Sequence, residues 1–242
     1  MGLPHELYGI QGDAPAGPRI LLLWITLRLR GVPEFLTAGL SPDFVPYLDG
    51  LALQRLTHKE VVAGTRPDTV IFLEHESTYT AGKRTEDSER PTDGTQVIDV
   101  DRGGKITWHG PGQLVGYPIL RLPDPIDVVG YVRFLEQVLI DVCSDFGLFT
   151  ERVEGRSGVW APTGGTHVKI AAIGIRVAEH TTMHGFALNC SNSLEPYDTI
   201  VACGIKDAGT STISALTGQL VTPAMAAERV KLRLRDIAKV EA

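Results

Sequence analysis

RGGKITWHGPGQLVGYP, residues 102–118, is the most unusual stretch of this sequence. Its first twelve residues contain four glycines, a proline, two cations and a histidine, and they lie between two strand candidates. Glycines let a backbone approach a ligand closely and leave its N–H groups accessible. The spacing fits neither the phosphate-binding loop GxxxxGK[ST] nor the dinucleotide fingerprint GxGxxG. A ligand-binding loop and a plain polar turn between two strands therefore both remain open.

Strand and helix patterns precede this stretch. Ser41-Pro42-Asp43 has the composition of a helix start, and the helix is predicted to continue to about Gly64. Apolar residues recur within it at helical spacing, namely Val45, Leu48, Ala52 and Leu56. Three short runs rich in β-branched residues are predicted strands: Thr69–Leu73, Thr78–Thr80 and Gln96–Val100.

The clearest helix of the chain follows the stretch. Asp127 is its predicted N-cap and Gly147 its predicted end, with one apolar face between them. Lys169–Val177 and Thr182–Asn189 are predicted strands, and a last helix is predicted to begin at Thr222-Pro223. Strands mixed with three flanking helices predict an α/β (α+β) fold, in which a mixed β-sheet is flanked by helices.

The composition is that of a folded, acidic protein. Of its 242 residues, 43% are hydrophobic and 21% charged, and the formal net charge is −6. Because a basic surplus is what drives binding to a phosphate backbone, we expect no nucleic-acid partner. The apolar run Ile20–Leu27 is much shorter than the roughly 20 residues of a membrane span, so we expect no membrane partner. Residues 1–34 are predicted to be an irregular N-terminal extension, and residues 35–242 a single domain.

Three cysteines, Cys143, Cys190 and Cys203, have no regular spacing. Their odd number indicates free thiols and a cytoplasmic location, and the absence of zinc-ligand spacing predicts no metal site. Cys143 lies beside the apolar face of the clearest helix and is predicted to be a core residue. Cys203, followed by Gly204 and a polar stretch, is either a nucleophile or a buried apolar cysteine.

A nucleophilic thiol needs a neighbour that favours the thiolate. Lys169 opens an otherwise apolar strand and is a candidate, although a solvated strand end would have the same pattern. His184 and Asn189 interrupt another apolar strand and are interpreted as hydrogen-bonded supporting residues. Glu74-His75-Glu76 lacks a second histidine at ligand spacing, so we interpret it as the edge of a strand.

Four ordered blocks resemble the family of lipoyl/octanoyl transferases. They are residues 102–118, Lys169-Ile170-Ala171-Ala172-Ile173-Gly174, His184-Gly185-Phe186-Ala187-Leu188-Asn189 and Ala202-Cys203-Gly204-Ile205. The resemblance covers about residues 35–242 and is strongest to actinobacterial members. One departure is that the family usually has proline where this sequence has Ala202.

The resemblance implies the fold of biotin and lipoate protein ligase catalytic domains, and transfer of an octanoyl or lipoyl group without ATP or a metal cofactor. It implies that Cys203 accepts the acyl group and that Lys169 assists it, with Tyr117, His184 and Asn189 in supporting positions. The same match implies these substrate-binding residues: Arg102, Gly103, Gly104, Lys105, Ile106, Thr107, Trp108, His109, Ala172, Ile173, Gly174, Gly185, Phe186 and Ala187.

The resemblance also implies two kinds of protein partner. Octanoyl-acyl carrier protein would be the donor, and lipoyl domains of 2-oxoacid dehydrogenase E2 subunits and the glycine cleavage H protein would be acceptors. Because these partners are acidic, we expect a local basic patch, with Arg84, Arg90, Arg102 and Lys105 as candidates.

Two other functions remain open at this point. One is an ATP-dependent lipoate or biotin protein ligase of the same fold, and the other is a non-catalytic scaffold that kept the fold. Such ligases do not need a cysteine at position 203, so its presence favours transfer over ligation. Retention of both Cys203 and Lys169 argues against a scaffold.

Overall fold

The computed structural model describes residues 29–200 and 208–240. The strands within these ranges are β1 (Glu34–Gly39), β2 (Thr69–Leu73), β3 (Thr78–Ala81), β4 (Val97–Asp99), β5 (Thr107–His109), β6 (Gln113–Ile119), β7 (Glu151–Val153), β8 (Arg156–Thr163), β9 (Thr166–Ala178), β10 (Thr181–Asn189) and β11 (Gly209–Thr210). The α-helices are α1 (Tyr47–Val62), α2 (Val128–Asp145), α3 (Ile213–Thr217) and α4 (Pro223–Val240).

The described strands form two sheets. The larger sheet has the order β1-β2-β6-β10-β9-β8-β7, and β11 pairs with β9 outside this path. Its β1–β2 and β11–β9 pairs are parallel, and the others are antiparallel. The smaller sheet has the order β4-β3-β5, with a parallel and an antiparallel pair. The predicted mixed sheet flanked by helices is therefore confirmed.

Helices cover both faces of the larger sheet. On one face, α2 and α4 pack against each other and against β6, β8 and β9, and α1 covers β2, β6 and β10 on the other. The loop before β5 approaches β9, because the N–H of Gly103 donates to the carbonyl of Ile175 at 2.9 Å. This hydrogen bond connects the loop that leads into the smaller sheet with strand β9 of the larger sheet. No helix in the described ranges is long and apolar enough to cross a membrane.

The start of α1 differs from the sequence prediction. Ser41-Pro42-Asp43 forms a turn, and the helix begins at Tyr47. Two of the apolar residues used for the prediction, Leu48 and Leu56, are 62% and 54% exposed. The apolar residues that recur at helical spacing in α1 therefore lie on its solvent-exposed side.

The buried face of α1 is largely polar, and two of its side chains, Gln54 and His58, bond to the backbone of the sheet. Gln54 accepts the backbone N–H of His184 through its Oε1 at 2.9 Å. His58 donates through Nε2 to the carbonyl of Ala178 at 3.1 Å. Buried polar groups are tolerated when they are hydrogen-bonded, so helical periodicity of apolar residues fails to find this face.

The predictions for the last two long helices are confirmed. The Asp127 carboxylate accepts the N–H of Gly130 at 2.7 Å, as an N-cap does, and α2 ends just before Gly147, whose φ is +76°. The helix α4 begins at Pro223, directly after Thr222. The two ends of α2 and the start of α4 are thus marked by residues that are close neighbours in the sequence.

The first described residues already belong to the fold. Leu29 is only 9% exposed and joins the core beneath α2, and β1 begins at Glu34. Both residues lie within the segment predicted as an extension. The single domain over 35–242 stays a prediction, and residues 1–28 lie outside the described ranges.

Candidate active site

A cavity of about 240 Å³ lies between α1, β5, β6, β9 and β10. The exposed lining residues Arg84, Gly155 and Ser157 mark its mouth. Many residues singled out by the sequence surround it: Arg102, Gly104, Lys105, Thr107, His109, Tyr117, Lys169, Ala172, Ile173, Gly174, His184, Gly185, Phe186 and Ala187. Three separate blocks of the sequence therefore meet at one cavity.

Lys169 faces this cavity because β9 contains a bulge. Val159 lies opposite Ala171 and Trp160 lies opposite Lys169, so Ile170 has no residue opposite it. Ile170 and Ala171 both pack in the core beneath α2 and α4, and the alternation of β9 is thereby shifted by one residue. The shift places Lys169 on the same face as Ala172, which also lines the cavity.

The amine of Lys169 sits in a nearly closed environment. The residue is 8% exposed, and its Nζ lies over the indole ring of Trp160, 4.6 Å from the ring centre. An indole face attracts an ammonium group electrostatically. The carbonyl of Lys169 accepts the N–H of Ser211 at 3.0 Å, which ties the strand to the segment after β11.

Arg102 organises the glycine-rich loop from inside. Its guanidinium donates to the carbonyl of Lys105 at 2.9 Å and to the carbonyl and hydroxyl of Thr80 at 2.9 and 2.8 Å. A Cβ at Gly174 would lie 2.9 Å from the carbonyl oxygen of Gly103 and 3.0 Å from Cδ of Arg102. The loop and β9 can approach this closely only because Gly174 lacks a side chain.

Two neutral histidines lie at the bottom of the cavity: His109 lines its floor, and His75 is buried beneath it against His109 and Tyr117. His75 donates through Nδ1 to the carbonyl of Val45 at 2.8 Å, and its Nε2 accepts the hydroxyl of Tyr117 at 2.6 Å. His109 donates through Nδ1 to Oε1 of Gln113 at 2.8 Å. Burial lowers the pKa of His75 to about 4, and burial together with the charge of Arg102 lowers the pKa of His109 to about 3.

The phenols beside these histidines are also uncharged. Burial raises the pKa of Tyr47 to about 12 and raises that of Tyr117 well above its ordinary value. Tyr47 stacks on His109 with ring centres 6.1 Å apart. The floor of the cavity therefore carries no charge at neutral pH.

The buried His184 pairs with the partly exposed Asp101 at the cavity wall. Its Nε2 donates to Oδ1 of Asp101 at 2.8 Å, and Arg176 binds the other carboxylate oxygen. Burial lowers the pKa of His184, although the Asp101 carboxylate opposes this effect. His184 has a φ of +57°, an uncommon conformation for a residue with a side chain. The interpretation of His184 as a hydrogen-bonded residue agrees with this geometry.

Asn189 lies beside the cavity rather than in its wall. Its Oδ1 accepts Nε2 of Gln113 at 2.9 Å and the hydroxyl of Tyr197 at 3.2 Å, and its Nδ2 donates to the carbonyl of Ser211 at 3.1 Å. This network joins β10, the first residue of β6 and the chain after β11. Asn189 thus positions the segments around Lys169.

Three of the implied substrate-binding residues do not line the cavity. Side chains alternate along β5, so Thr107 and His109 face the cavity whereas Trp108 points away and donates to the hydroxyl of Ser77 at 3.0 Å. Ile106 is completely buried, and Gly103 contributes its backbone to the contact with β9. These three residues hold the loop in place.

The expected basic patch is only partly present. Arg102 is buried and donates to main-chain carbonyls. Lys105 binds Glu86 and Glu89, and Arg90 binds Asp99. Arg84 is exposed at the mouth of the cavity. Acidic neighbours within the 83–99 segment therefore offset much of the charge that the sequence suggested.

Sequence reasoning missed the polar residues that support the site. Glu74 is buried, and its carboxylate accepts the N–H groups of Ser41 at 2.9 Å and Gly112 at 2.7 Å. His75 and Tyr47 lie beneath the cavity. The only signal for them was the polar triplet Glu74-His75-Glu76 after an apolar strand, which was interpreted as a strand edge.

Comparisons with known proteins agree with this architecture. Residues 46–235 match the family model of the lipoyl protein ligase A/B catalytic domain. An octanoyltransferase from Leifsonia xyli subsp. xyli is 64% identical over 204 residues, which are 84% of this chain and 91% of that protein. One from Salinispora tropica is 63% identical over 183 residues, 75% of this chain and 86% of that protein. The chain belongs to the octanoyltransferase family.

Solved structures of lipoate protein ligases share the fold of this octanoyltransferase family member. A bi-partite lipoate protein ligase from Thermoplasma acidophilum, described with its E2 lipoyl domain, aligns with a TM-score of 0.66 over 86% of this chain and 84% of its own, at 13% identity. Lipoate-protein ligase A bound with ATP aligns with a TM-score of 0.61 over 86% of this chain and 93% of its own, also at 13% identity. The lipoate-ligase-like fold expected from the sequence is confirmed.

Membership of the octanoyltransferase family makes the chain an acyltransferase, as predicted. Cys203, its predicted nucleophile, and Ala202 lie outside the described residues. The described chain stops at Ile200 and resumes at Ala208, and β11 then pairs with Val168 and Lys169. In residues 29–200 and 208–240, no group of three or more His, Cys, Asp or Glu side chains could hold a metal ion.

Proposed function

We propose that this octanoyltransferase moves an octanoyl group from octanoyl-acyl carrier protein to the acceptor lysine of a lipoyl domain, through a thioester on Cys203. The observation that carries the proposal is the placement of Lys169. Its amine is buried at a cavity with an uncharged floor, and β11, which follows Cys203 closely in the sequence, pairs with β9 at Lys169. Names of relatives with 56–64% identity support octanoyl transfer.

The first half-reaction exchanges one thioester for another. The Cys203 thiolate attacks the carbonyl carbon of the donor, a bond forms between its sulfur and that carbon, and the bond to the carrier sulfur breaks. The carrier leaves as a thiolate, and the Lys169 ammonium would protonate it, which leaves the Lys169 amine neutral for the second half-reaction. Because the two thioesters have similar energy, this step needs no ATP. An ammonium group on Lys169 would stabilise the attacking thiolate.

The second half-reaction forms an amide. The amine of the acceptor lysine attacks the acyl carbonyl of the Cys203 thioester, a C–N bond forms, and the C–S bond breaks. The attacking amine must lose a proton, and Lys169 in its neutral form would accept that proton. The Cys203 sulfur leaves as a thiolate, ready for another donor.

The cavity suits a slender apolar chain. Its volume of about 240 Å³ is below the roughly 300–1,000 Å³ of sites for drug-sized ligands. Val115, Ala172 and Ala187 supply apolar wall, and the neutral His109 and Tyr117 leave the floor without charge. An acyl chain buried there would gain hydrophobic free energy without leaving a buried charge unpaired.

Chemical elimination also favours Cys203 as the nucleophile. Cys143 and Cys190 are completely buried, and burial raises the pKa of both thiols, to about 12 for Cys143. Burial therefore disfavours the thiolate of both residues and closes them off from a protein-bound acyl group. Cys203 is the remaining cysteine of the chain.

Intact mass spectrometry tests the proposal. Mixing the protein with octanoyl-acyl carrier protein should add one octanoyl group, and Cys203→Ser should remove this adduct. Cys143→Ala and Cys190→Ala should keep it. Addition of a lipoyl domain should then discharge the wild-type adduct and add octanoate to the domain. An adduct that persists in Cys203→Ser would exclude the proposed intermediate.

A further inference from the structure

Glu136 is a buried carboxylate on the face of the sheet away from the cavity. It lies in α2, and none of its side chain is exposed. Its Oε2 accepts Nη1 of Arg133 at 2.7 Å and Nε of Arg152 at 3.1 Å. Its Oε1 accepts the backbone N–H of Gly158 at 3.0 Å. The two arginines offset the cost of burying the charge, and Oε1 is left for the backbone of β8.

Gly158 lies beside the bulge that turns Lys169 toward the cavity. Its φ is +111°, a conformation that favours glycine. A Cβ there would lie 2.4 Å from the carbonyl oxygen of Ala171 and 3.5 Å from Cε of Lys169. Gly158 therefore lies next to both ends of the bulge with no room for a side chain, and its N–H is bound from the opposite face of the sheet by Glu136.

We propose that Glu136 is a positioning residue for Lys169. By accepting the N–H of Gly158, Glu136 fixes the path of β8 next to the bulge, where Val159 and Trp160 lie opposite three residues of β9. The fixed bulge in turn holds the Lys169 amine over the indole and in the cavity. A hydrogen bond to a carboxylate is about twice as strong as one to a neutral acceptor, so the charge serves this contact. The role of Lys169 in transfer rests on the proposed function, whereas its placement does not.

Three variants distinguish a role of Glu136 in positioning Lys169 from a general contribution to the stability of the fold. Glu136→Met keeps much of the volume but removes the acceptor, whereas Glu136→Gln keeps an amide oxygen for Gly158. Arg152→Gln is the matched control, because it removes an ion pair from Glu136 and leaves the bond to Gly158 in place. If Glu136→Met does not fold, Gly158→Ala disturbs the same bulge without touching the ion pairs of Glu136.

Two measurements report on the placement of Lys169 without using transfer activity. One is the hydrogen-exchange rate of the Gly158 amide, and the other is the rate at which a small amine reagent labels Lys169, measured by peptide mass spectrometry. In Glu136→Met we expect the amide to exchange about tenfold faster or more. We also expect labelling of Lys169 to change severalfold, because its amine leaves the indole face.

Kinetics of octanoyl transfer complete the test. In Glu136→Met, kcat should fall on the order of 10- to 100-fold while KM for the donor changes little, because a displacement of about 1 Å can have such an effect. Glu136→Gln should recover most of the loss, and Arg152→Gln should match the wild type in all three measurements. Glu136→Met with wild-type labelling of Lys169 would overturn the proposal, as would equal effects of Glu136→Met and Arg152→Gln.

One further outcome distinguishes this proposal from the proposed function. Altered labelling of Lys169 and faster Gly158 exchange, combined with wild-type transfer, would support the link between Glu136 and Lys169. The same result would contradict a role for Lys169 in the reaction.

Discussion

The hydroxyl of Tyr117 donates a 2.6 Å hydrogen bond to Nε2 of the neutral His75 imidazole, so protonation of the ring would require this bond to reverse its direction. Its Nδ1 already donates to the carbonyl of Val45. Protonation of Nε2 would replace an acceptor by a second donor that faces a phenol. The contact therefore couples the protonation state of His75 to the packing of β6 and of the cavity floor.

We predict that the free energy of unfolding decreases as the pH falls from 7 to 5. In the folded chain the pKa values of His75 and His109 are about 4 and about 3, against about 6.5 in the unfolded chain. In this pH range the unfolded chain binds more protons than the folded chain, so a falling pH favours unfolding. Each histidine contributes about 2 kcal/mol between pH 6.5 and 5.

Urea unfolding at pH 7 and pH 5 measures this effect. In His75→Gln the decrease should be smaller by about 2 kcal/mol, because one depressed titration is lost. The exposed residue His180 provides the matched control, His180→Gln, which should show the wild-type decrease. Equal pH dependence in His75→Gln and the wild type would contradict the assignment.

Lys169→Met should slow the alkylation of Cys203 near neutral pH. Loss of a neighbouring ammonium raises the pH at which a thiol ionises, and the rate falls about tenfold for each unit of that shift. Lys169→Arg should restore part of the alkylation rate but not transfer to the acceptor lysine, since arginine does not readily accept a proton. Iodoacetamide rates as a function of pH, mapped to Cys203 by mass spectrometry, give the answer. Superimposable curves for Lys169→Met and the wild type would place Lys169 outside the reaction.

Gly174→Ala should lower kcat/KM by moving the glycine-rich loop. The added Cβ would lie 2.9 Å from the carbonyl oxygen of Gly103, closer than Cβ contacts normally are, so the loop must shift. Gly103→Ala tests the same contact from the other side, where the new Cβ would lie 3.4 Å from the carbonyl oxygen of Ile175. We expect a reduction of about tenfold or more for Gly174→Ala and a smaller one for Gly103→Ala. Steady-state kinetics that reverse this order would show that the contact does not shape the cavity.

A chain that begins at Phe35 should be less stable than one that begins at Arg28. The shorter chain lacks Leu29, whose burial contributes about 2 kcal/mol, and Glu34, which binds Arg66 at 3.1 Å. Each folded molecule should nevertheless retain transfer activity, because neither residue lines the cavity. Unfolding in urea and activity per folded molecule test the two statements separately. A folded but inactive short chain would show that the N-terminal segment takes part in the reaction.

Transfer should be complete without ATP or magnesium. The donor thioester supplies an activated acyl group, and no sequence motif of the chain matches a phosphate-binding loop. A purified assay with octanoyl-acyl carrier protein and a lipoyl domain should give the same yield with and without both additives. Strict dependence on ATP would assign the protein to the ligases.

The parts of this fold that were predictable from sequence depend on neighbours along the chain. Asp127 and Gly147 mark the ends of α2 because capping uses residues within one turn. The start of α1 was wrong because Ser41-Pro42-Asp43 forms a separate turn, and its buried face was missed because Gln54 bonds to the distant His184.

The site was predictable where a block of sequence matched the family and not where it depended on distant contacts. Strict alternation in Lys169–Val177 would place Lys169 on the face of Ile173, toward the core. The bulge at Ile170 reverses that assignment, and it forms opposite Gly158, whose N–H is held by Glu136 on a helix. Local periodicity contains no information about such a contact.

The place of β10 in the sheet has a consequence for the order in which the protein can be made. β10 (Thr181–Asn189) pairs with β6 on one side and β9 on the other, yet it is the last of the three to leave the ribosome. Until it emerges, several seconds after β6 at about 5–20 residues per second, β6 and β9 each present an open edge to other chains. A chain interrupted before Thr181 would therefore leave β6 and β9 with unpaired edges, which favour aggregation with other chains.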